Sequence, residues 1–224
     1  MFDFLDPQEY DLLGAFWVTV QLTVYSAIGS LIWGTILVGM RVSPVPMMRG
    51  FASAYITLVR NTPLTVIIVA CSLVLKDTLG FTIAGETVED QNFWLAILGF
   101  VAYTSTFVCE SLRAGINTVP VGQAEAARAL GLGFNQVLGI VVLPQAFRSV
   151  VAPLSSVLIA LTKNTTVASA IGVAEAAWLM KEMTENESDA ILLVFAIFAL
   201  GFVILTLPTG LLLGWVSRKV AVKR

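Results

Sequence analysis

Five long apolar runs constrain this chain more than any other feature of its sequence. A helix that crosses a lipid bilayer needs about 20 mostly apolar residues. Runs of this kind lie at 14–40, 51–75, 92–112, 147–171 and 190–216. They do not alternate between apolar and polar residues, as the strands of a membrane barrel do. The sequence therefore predicts an all-α integral membrane protein with five transmembrane helices in a single domain, residues 1–224.

The composition supports this class and argues against several functions. The chain is 57% hydrophobic and only 12% charged, whereas a soluble domain carries about 25% charged residues. It has no histidine, so the usual proton shuttle and metal ligand is missing. Cys71 and Cys109 both lie in apolar runs and are predicted to be structural. Neither a metal site nor an enzyme embedded in the membrane is predicted.

The charges between the apolar runs predict the orientation of the chain. Short cytoplasmic loops carry an excess of Lys and Arg. One side of the membrane would hold Arg41, Arg49, Arg113, Arg128, Arg148, Arg218, Lys219, Lys223 and Arg224, and the other only Lys76 and Lys181. The side with two basic residues also holds most of the carboxylates, among them Asp3, Asp6 and Glu86. We therefore predict that the N-terminus is outside and the C-terminus is cytoplasmic.

The loop between the third and fourth spans, residues 114–146, has an unusual composition for a connector. It contains the strong helix formers QAEAARAL, with Glu125 and Arg128 three residues apart, followed by glycines that can end the helix. Ala126 and Ala127 would leave one side of this helix nearly bare, and Pro144 is predicted to mark the return to the membrane. A helix this short is marginal in water. It needs a surface to dock against, or it is an ordinary connector on the lipid.

The spacing in this loop resembles the EAA loop of permease subunits of ATP-binding cassette (ABC) importers. The residues that carry the resemblance are Glu125, Ala126, Ala127, Gly131, Leu143 and Pro144. The stretches RNTPL at 60–64, ESLRAGIN at 110–117, LPQAFR at 143–148 and ALTKNTTVASAIGVAE at 160–175 narrow the resemblance to polar amino acid permeases. Within that family the chain is most similar to glutamate permease subunits of actinobacteria.

The resemblance implies a fold, a mechanism and a set of partners. It implies a type I ABC importer permease fold in which the loop helix docks into a cytoplasmic ATPase dimer through Glu125, Arg128 and their neighbours. It also implies a second permease subunit, with a heterodimer favoured over a homodimer, and an extracellular or lipid-anchored solute-binding protein. The other partners would be an amino acid substrate and membrane lipid, with no nucleic acid. The chain lacks a Walker-type phosphate loop, so ATP and Mg²⁺ are expected on the ATPase and no cofactor on this chain.

The most informative polar cluster inside the predicted spans is Lys163, Asn164, Thr165 and Thr166. Lys163 lies about sixteen residues into the fourth span, too deep for easy contact with water. A lysine beside amide and hydroxyl groups suits the carboxylate of an amino acid, so the cluster is a candidate for the substrate path. The alternative is an ion pair of Lys163 with Glu110 or Glu175 that holds the helices together.

Other polar residues in the spans are weaker candidates. Arg60 and Asn61 precede a Thr-Pro pair that should break the second span, and broken helices line cavities in many transporters. For Arg60 we favour a position at the interface or a gate over direct contact with substrate. Thr104 and Ser105 are also path candidates, although small hydroxyl residues at this depth more often pack helices together than bind a ligand. Glu110 is expected to pair with Arg113.

Two other kinds of protein remain open on the sequence alone. A small secondary transporter would have few spans and buried polar residues, but it would need inverted repeats, which this sequence does not show. A channel subunit would not need the loop helix. Glu175 begins an amphipathic segment that would form either a lid or a surface helix.

Overall fold

The computed structural model describes residues 9–81, 83–85 and 87–220, which form helices and their connections and contain no strand. In chain order the helices are α1 Leu12–Arg41, α2 Pro46–Arg60, α3 Leu64–Thr78, α4 Val88–Ile116, α5 Val121–Ala129, α6 Phe134–Ile171, α7 Ala176–Asn186 and α8 Ile191–Val220. Five of the charged residues that were assigned to a side of the membrane lie outside the described residues: Asp3, Asp6, Glu86, Lys223 and Arg224.

The helices account for the five predicted spans. α1, α4, α6 and the Ser188–Leu212 stretch that includes the start of α8 are each long and apolar enough to cross a membrane. α2 and α3 form one further unit that is bent by 103° between Arg60 and Leu64. With this bent pair counted as one span, all five are present in the described part of the chain.

The bend between α2 and α3 occurs where the sequence predicted a break. Pro63 lacks the N–H that would continue the helix. The amide of Asn61 donates to the carbonyl of Thr57 at 2.8 Å, and the hydroxyl of Thr62 donates to the carbonyl of Leu58 at 2.9 Å. These two side chains supply donors to carbonyls near the end of α2, so the break leaves fewer backbone groups unpaired.

The fourth span differs from the prediction at its start. The predicted span began at 147, with Pro144 marking the return to the membrane, but α6 begins at Phe134 and continues through Pro144. The turns just before the proline, Val137–Val142, are wound as a π-helix. This wider winding moves the carbonyl of Ile140, four residues before the proline, away from the ring that would otherwise clash with it. Pro144 therefore lies inside a helix and marks no boundary.

α1 and α4 approach each other closely at the centre of the bundle. Ser26, Ser30 and Gly34 are buried on α1 and lie four residues apart, on one face of the helix. A Cβ on Gly34 would be 2.6 Å from Cγ1 of Val108 and 2.9 Å from the carbonyl oxygen of Ser105. Small residues that allow two backbones to come this close are typical of helix association in lipid.

The two ends of the bundle carry different elements. α5 joins α4 to α6 at one end, which we call the α5 end. At the opposite end, the α7 end, α7 packs on the beginning of α1 and of α8 through a buried apolar cluster that includes Ala15, Leu179 and Phe198. These ends fix where the candidate site residues lie along the bundle.

α4 and α6 are in close contact near the α5 end. A Cβ on Gly115 of α4 would lie 2.3 Å from Cγ1 of Val150 and 2.8 Å from the carbonyl oxygen of Ala146, both on α6. The carbonyl is backbone and cannot move aside without shifting α6. The absence of a side chain at Gly115 therefore sets the distance between the two helices.

We predict that Gly115→Ala destabilises the protein, whereas Gly39→Ala does not. The added methyl at Gly115 forces α4 and α6 apart, a cost of about 1–3 kcal/mol for overpacking. Gly39 is also helical, but a Cβ there meets nothing within 4 Å, so alanine should be neutral or slightly stabilising. Thermal unfolding of the two variants in the same detergent measures the difference. Equal melting temperatures would contradict the close contact at Gly115.

Candidate functional site

The outward face of α5 presents one carboxylate among small residues. Glu125 is exposed, and so are Gly122, Ala126 and Ala129 on the same side of the helix. A partner could therefore approach the backbone of α5 closely around Glu125. Within the described residues Glu125 forms no ion pair with Arg128, although both are exposed. Both charges are thus available for contact with another surface.

Ala127 does not share this bare face. It is only 6% exposed and packs against Val137 and Val142 at the beginning of α6. The prediction that Ala126 and Ala127 lie together on the open side is therefore wrong for Ala127. Its methyl group holds α5 against its own chain, and Ala126 alone of the two faces outward.

Gly131 ends α5 with a left-handed turn. Its φ is +85°, a conformation that costs other residues about 1–2 kcal/mol. The N–H of Gly131 donates to the carbonyl of Arg128 at 2.9 Å, and the N–H of Leu132 donates to that of Ala127 at 3.2 Å. These two bonds form a Schellman motif. The predicted turn at Gly131 is thus present, and it directs the chain straight into α6.

A pair of glutamines fixes α5 to the beginning of α6. The amide of Gln145 donates to Oε1 of Gln123 at 2.6 Å and to the carbonyl of Val141 at 2.9 Å. Neither glutamine was a candidate from the sequence, because no local pattern links residues 22 positions apart. Leu143 is half-buried and Pro144 is exposed next to this bridge. α5 is therefore held on α6 by apolar and polar contacts.

The carboxylate of Glu110 lies between two arginines. Its Oε1 is 2.9 Å from Nη1 of Arg41, at the end of α1, and its Oε2 is 3.8 Å from Nη1 of Arg113. The predicted pair with Arg113 is present, but Arg41 is the closer partner. The sequence could not reveal this contact, since it depends on how α1 and α4 are rotated against each other.

Lys163 is exposed near the end of the α-helical part of α6. The alternative prediction, an ion pair with Glu110 or Glu175, is not present, because Glu110 is paired with Arg41 and Arg113 and Glu175 accepts hydrogen bonds elsewhere. Of its neighbours, Thr165 is fully buried and donates to the carbonyl of Thr162 at 2.7 Å. Asn164 and Thr166 are half-buried. The predicted cluster is therefore divided between the surface and the interior.

A stripe of small residues leads along α6 to Lys163. It consists of Ser149, Ala152, Ser156 and Ala160, which are all exposed and follow one another at three or four residues. This spacing places them and Lys163 on one face of the helix. The sequence reasoning missed the stripe, although its periodicity was a signal that could have revealed it. An open, weakly polar face that ends in a cation is compatible with passage of a polar solute.

Glu175 is buried at the start of α7; it is not on a lid surface, and within the described residues it forms no ion pair with Lys163. Its carboxylate accepts hydrogen bonds from the N–H of Ala177 at 2.9 Å and of Trp178 at 3.0 Å, as an N-cap does. Burial raises the pKa of Glu175 to about 7, although the two N–H donors and the hydroxyl of Thr19 oppose the shift. Glu175 therefore anchors α7 on α1.

Arg60 lies at the bend and not at the end of a span. Its guanidinium carbon is 5.1 Å from the centroid of the Phe107 ring, a distance suited to a cation–π contact. Phe107 is nine residues before the end of α4, or about 14 Å along the helix. Arg60 and Asn61 are both exposed. Of the predicted positions for Arg60, a gate beside the bend agrees with this location better than the interface does.

Thr104 and Ser105 are not on an open surface. They are 3% and 0% exposed in this chain, and the hydroxyl of Ser105 donates to the carbonyl of Ala102 at 3.0 Å. Both side chains are turned into the bundle by the rotation of α4, and the carbonyl oxygen of Ser105 lies where α4 meets Gly34 of α1. Their burial favours the packing alternative over a place on an open path. Small hydroxyl residues commonly have this role in membrane helices.

The two irregular regions of the bundle are neighbours. The last turns of α6, Thr165–Ile171, are wound as a 3-10 helix. α3, which follows the bend, packs against them through Leu64, Ile68 and Ala168. The structure thus brings the predicted break at 60–63 and the segment that follows Lys163 to the same part of the molecule.

The chain is similar to transport proteins over nearly its whole length. The family described as binding-protein-dependent transport system inner membrane component matches residues 30–222. The chain is 60% identical to the glutamate transport system permease protein GluC of Corynebacterium efficiens, over 95% of both chains. It is 58% identical to GluC of Corynebacterium glutamicum over the same shares. It is 29% identical to the glutamate/aspartate import permease protein GltK of Escherichia coli, over 94% of this chain and 93% of the relative.

Solved structures of transporters share the fold. An amino acid ABC transporter crystallised with histidines superposes with a TM-score of 0.79 at 25% identity, over 93% of both chains. The MetNI methionine ABC transporter in an inward-facing conformation gives a TM-score of 0.78 at 20% identity, over 97% of this chain and 99% of the other. At that lower identity the likeness concerns the fold alone.

We predict that Gly131→Ala loosens α5 and that Gly133→Ala does not. Alanine at a φ of +85° costs about 1–2 kcal/mol, so the amides of α5 should exchange hydrogen roughly fivefold faster or more. Gly133 has a φ of −69°, which any residue adopts, and serves as the control. Hydrogen exchange followed by mass spectrometry of residues 121–132 measures the effect. Unchanged exchange in Gly131→Ala would contradict the importance of the left-handed turn.

Proposed function

This chain belongs to the family of inner membrane components of binding-protein-dependent transport systems, and we propose that it is one permease subunit of an ATP-driven glutamate importer. It is an integral membrane protein with the fold of type I ABC importer permeases. The choice of glutamate as the substrate rests on the 58–60% identity with two glutamate transport system permeases over 95% of the chain. The 29% identity with a glutamate/aspartate permease supports the same class, and aspartate or glutamine is the second choice of substrate.

The energy for transport would come from a separate ATPase. Members of this family are permease subunits and not enzymes, and this chain has no Walker-type phosphate loop. We expect a cytoplasmic ATPase dimer to bind ATP and Mg²⁺ and to grip α5. The exposed Glu125 among small residues supports this, because a partner can contact both the carboxylate and the backbone around it.

The distribution of charge supports a cytoplasmic α5 end. Arg41, Arg113, Arg128 and Arg148 lie at or near this end of the bundle, as the positive-inside rule requires of a cytoplasmic side. With an odd number of spans, the N-terminus is then outside and the C-terminus cytoplasmic. An extracellular or lipid-anchored solute-binding protein would deliver the amino acid at the α7 end.

A second permease subunit would complete the path. The stripe from Ser149 to Lys163 is open on one side in this chain, and polar groups exposed to lipid are costly. A partner permease facing the stripe would enclose it and form a passage between the two subunits. We favour a related but different partner chain, because the resemblance of this sequence to glutamate permease subunits implies a heterodimer.

Within this path Lys163 is the residue proposed to contact the substrate. Lys163 is exposed, lies on the same face of α6 as the small residues, and is not paired with either Glu110 or Glu175. A lysine can donate charge-assisted hydrogen bonds to a carboxylate. The exposed Arg60, which lies beside the bend, would serve as a gate.

We predict that Glu125→Lys abolishes binding of the ATPase. The change reverses the charge at the centre of the outward face of α5. An ATPase surface that is complementary to the carboxylate of Glu125 would then face a cation, and like charges across an interface cost several kcal/mol. Co-purification of the ATPase and uptake of labelled glutamate by the complete complex measure the loss. Glu185→Lys, an equally exposed change on α7 at the opposite end, should leave co-purification intact. Normal co-purification and uptake in Glu125→Lys would refute the role of α5.

We predict that Lys163→Gln lowers glutamate uptake at least about tenfold while the ATPase still co-purifies. The loss corresponds to a hydrogen bond between charged groups, about 1.5–3 kcal/mol. Lys181→Gln removes the same charge from an exposed position on α7 and serves as the control. Uptake equal to that of the unmodified complex would remove Lys163 from the substrate path.

A further inference from the structure

α4, α5 and α6 form a long hairpin with α5 at its tip. α4 ends at Ile116 and α5 begins at Val121, while α6 begins at Phe134 soon after α5 ends. α4 and α6 then run side by side towards the α7 end. Any displacement of α5 therefore acts on both α4 and α6. The contacts between these two helices decide whether they move together.

At the α5 end the two helices are in fixed register. The missing side chain of Gly115 lets α4 meet Val150 and the backbone of Ala146. The hydroxyl of Thr118, just beyond α4, donates to the carbonyl of Gly115 at 2.7 Å and lies 3.3 Å from the hydroxyl of Ser149 on α6. Farther along, the contacts between α4 and α6 are apolar, through residues such as Phe100 and Leu161. Apolar contacts hold helices together but are not directional, so by themselves they permit sliding.

At the α7 end Asn92 restores a directional link. Asn92 is the fifth residue of α4 and is 6% exposed. Its Nδ2 donates to the carbonyl of Ile171, the last residue of α6, at 2.6 Å. This carbonyl is one of those that a helix leaves without a partner at its end. The hairpin is therefore closed by a hydrogen bond at the end farthest from α5.

The same side chain also holds α3. The ammonium of Lys76, in the π-helical last turns of α3, donates to Oδ1 of Asn92 at 2.6 Å. An ammonium can only donate and a carbonyl can only accept, so a group between them must present an acceptor to one side and a donor to the other. A side-chain amide meets both requirements, whereas a carboxylate would face the carbonyl of Ile171 with a second negative oxygen.

We propose that Asn92 is a positioning residue for transport, which closes α4, α5 and α6 into one rigid frame and ties α3 to it. This inference rests on the proposed function, in which α5 receives force from an ATPase. A movement of α5 then reaches Thr165–Ile171 and the π-helical turns Cys71–Thr78 of α3 together, about 40 Å away along α4. These two irregular segments move in step, because the ammonium of Lys76 and the carbonyl of Ile171 are bonded to the same amide.

The test compares three variants in the complete complex, reconstituted in vesicles with its ATPase and solute-binding protein. Asn92→Asp retains a partner for Lys76 and breaks the bond to Ile171, whereas Lys76→Met does the reverse. Lys181→Met, an exposed lysine on α7, controls for the lost charge. The measured quantity is the number of ATP molecules hydrolysed for each glutamate imported.

We expect this ratio to rise roughly fivefold in Asn92→Asp, the factor that corresponds to one buried hydrogen bond, and to rise in Lys76→Met but not in Lys181→Met. A residue that merely stabilised the fold would lower hydrolysis and uptake in proportion and leave the ratio unchanged. An unchanged ratio in Asn92→Asp overturns the frame, and an unchanged ratio in Lys76→Met removes α3 from it.

Hydrogen exchange gives a second readout that does not depend on the substrate. In the unmodified complex, addition of a non-hydrolysable ATP analogue should change exchange at residues 71–78 and 165–172 together. In Asn92→Asp the two segments should no longer respond together, and a joint response would refute the proposal. If exchange at the two segments changes together in a complex that imports no glutamate, the proposed substrate is refuted but the proposed role of Asn92 is not.

Discussion

Lipid offers no hydrogen-bonding partner, so every departure from regular helix in this bundle has to be satisfied by the chain itself. The breaks in the spans follow this constraint. Asn61 and Thr62 donate to carbonyls of α2 at the bend, and Asn92 donates to the carbonyl at the end of α6. In the 3-10 turns, Thr165 donates to the carbonyl of Thr162. A side-chain donor therefore accompanies each of these irregular segments.

These segments place irregular backbone and the proposed path in the same part of the molecule. Regular apolar helices such as α1 and α8 present apolar side chains to the lipid. The irregular turns of α3 and α6 instead bring polar groups and the exposed Lys163 to one region. A solute that crosses the bilayer needs polar partners at depth, and the irregular backbone is where a helical protein can supply them. The bend, the 3-10 turns and the stripe along α6 are compatible with one path.

α5 is the part of the chain that a partner outside the membrane can reach and that is connected to this region. Its attachment combines three kinds of contact: the apolar packing of Ala127, the left-handed turn at Gly131 and the bridge from Gln123 to Gln145. Each contact restrains a different motion of α5 against α6. A helix this short would not be stable alone, so its rigidity is a property of its attachment.

The sequence by itself determined the five spans, the break at Asn61-Thr62-Pro63 and the turn at Gly131, because hydropathy, proline and glycine act through the residues next to them. It did not determine that α6 begins at Phe134, since the π-helical turns that accommodate Pro144 have no sequence signal of comparable strength. Only the tertiary structure decided that Thr104, Ser105 and Ala127 face inward, that Arg41 reaches Glu110, and that Asn92 joins Lys76 to Ile171. These contacts depend on the rotation and register of helices far apart in the chain, which are set by packing at residues such as Gly34 and Gly115 and not by any local pattern.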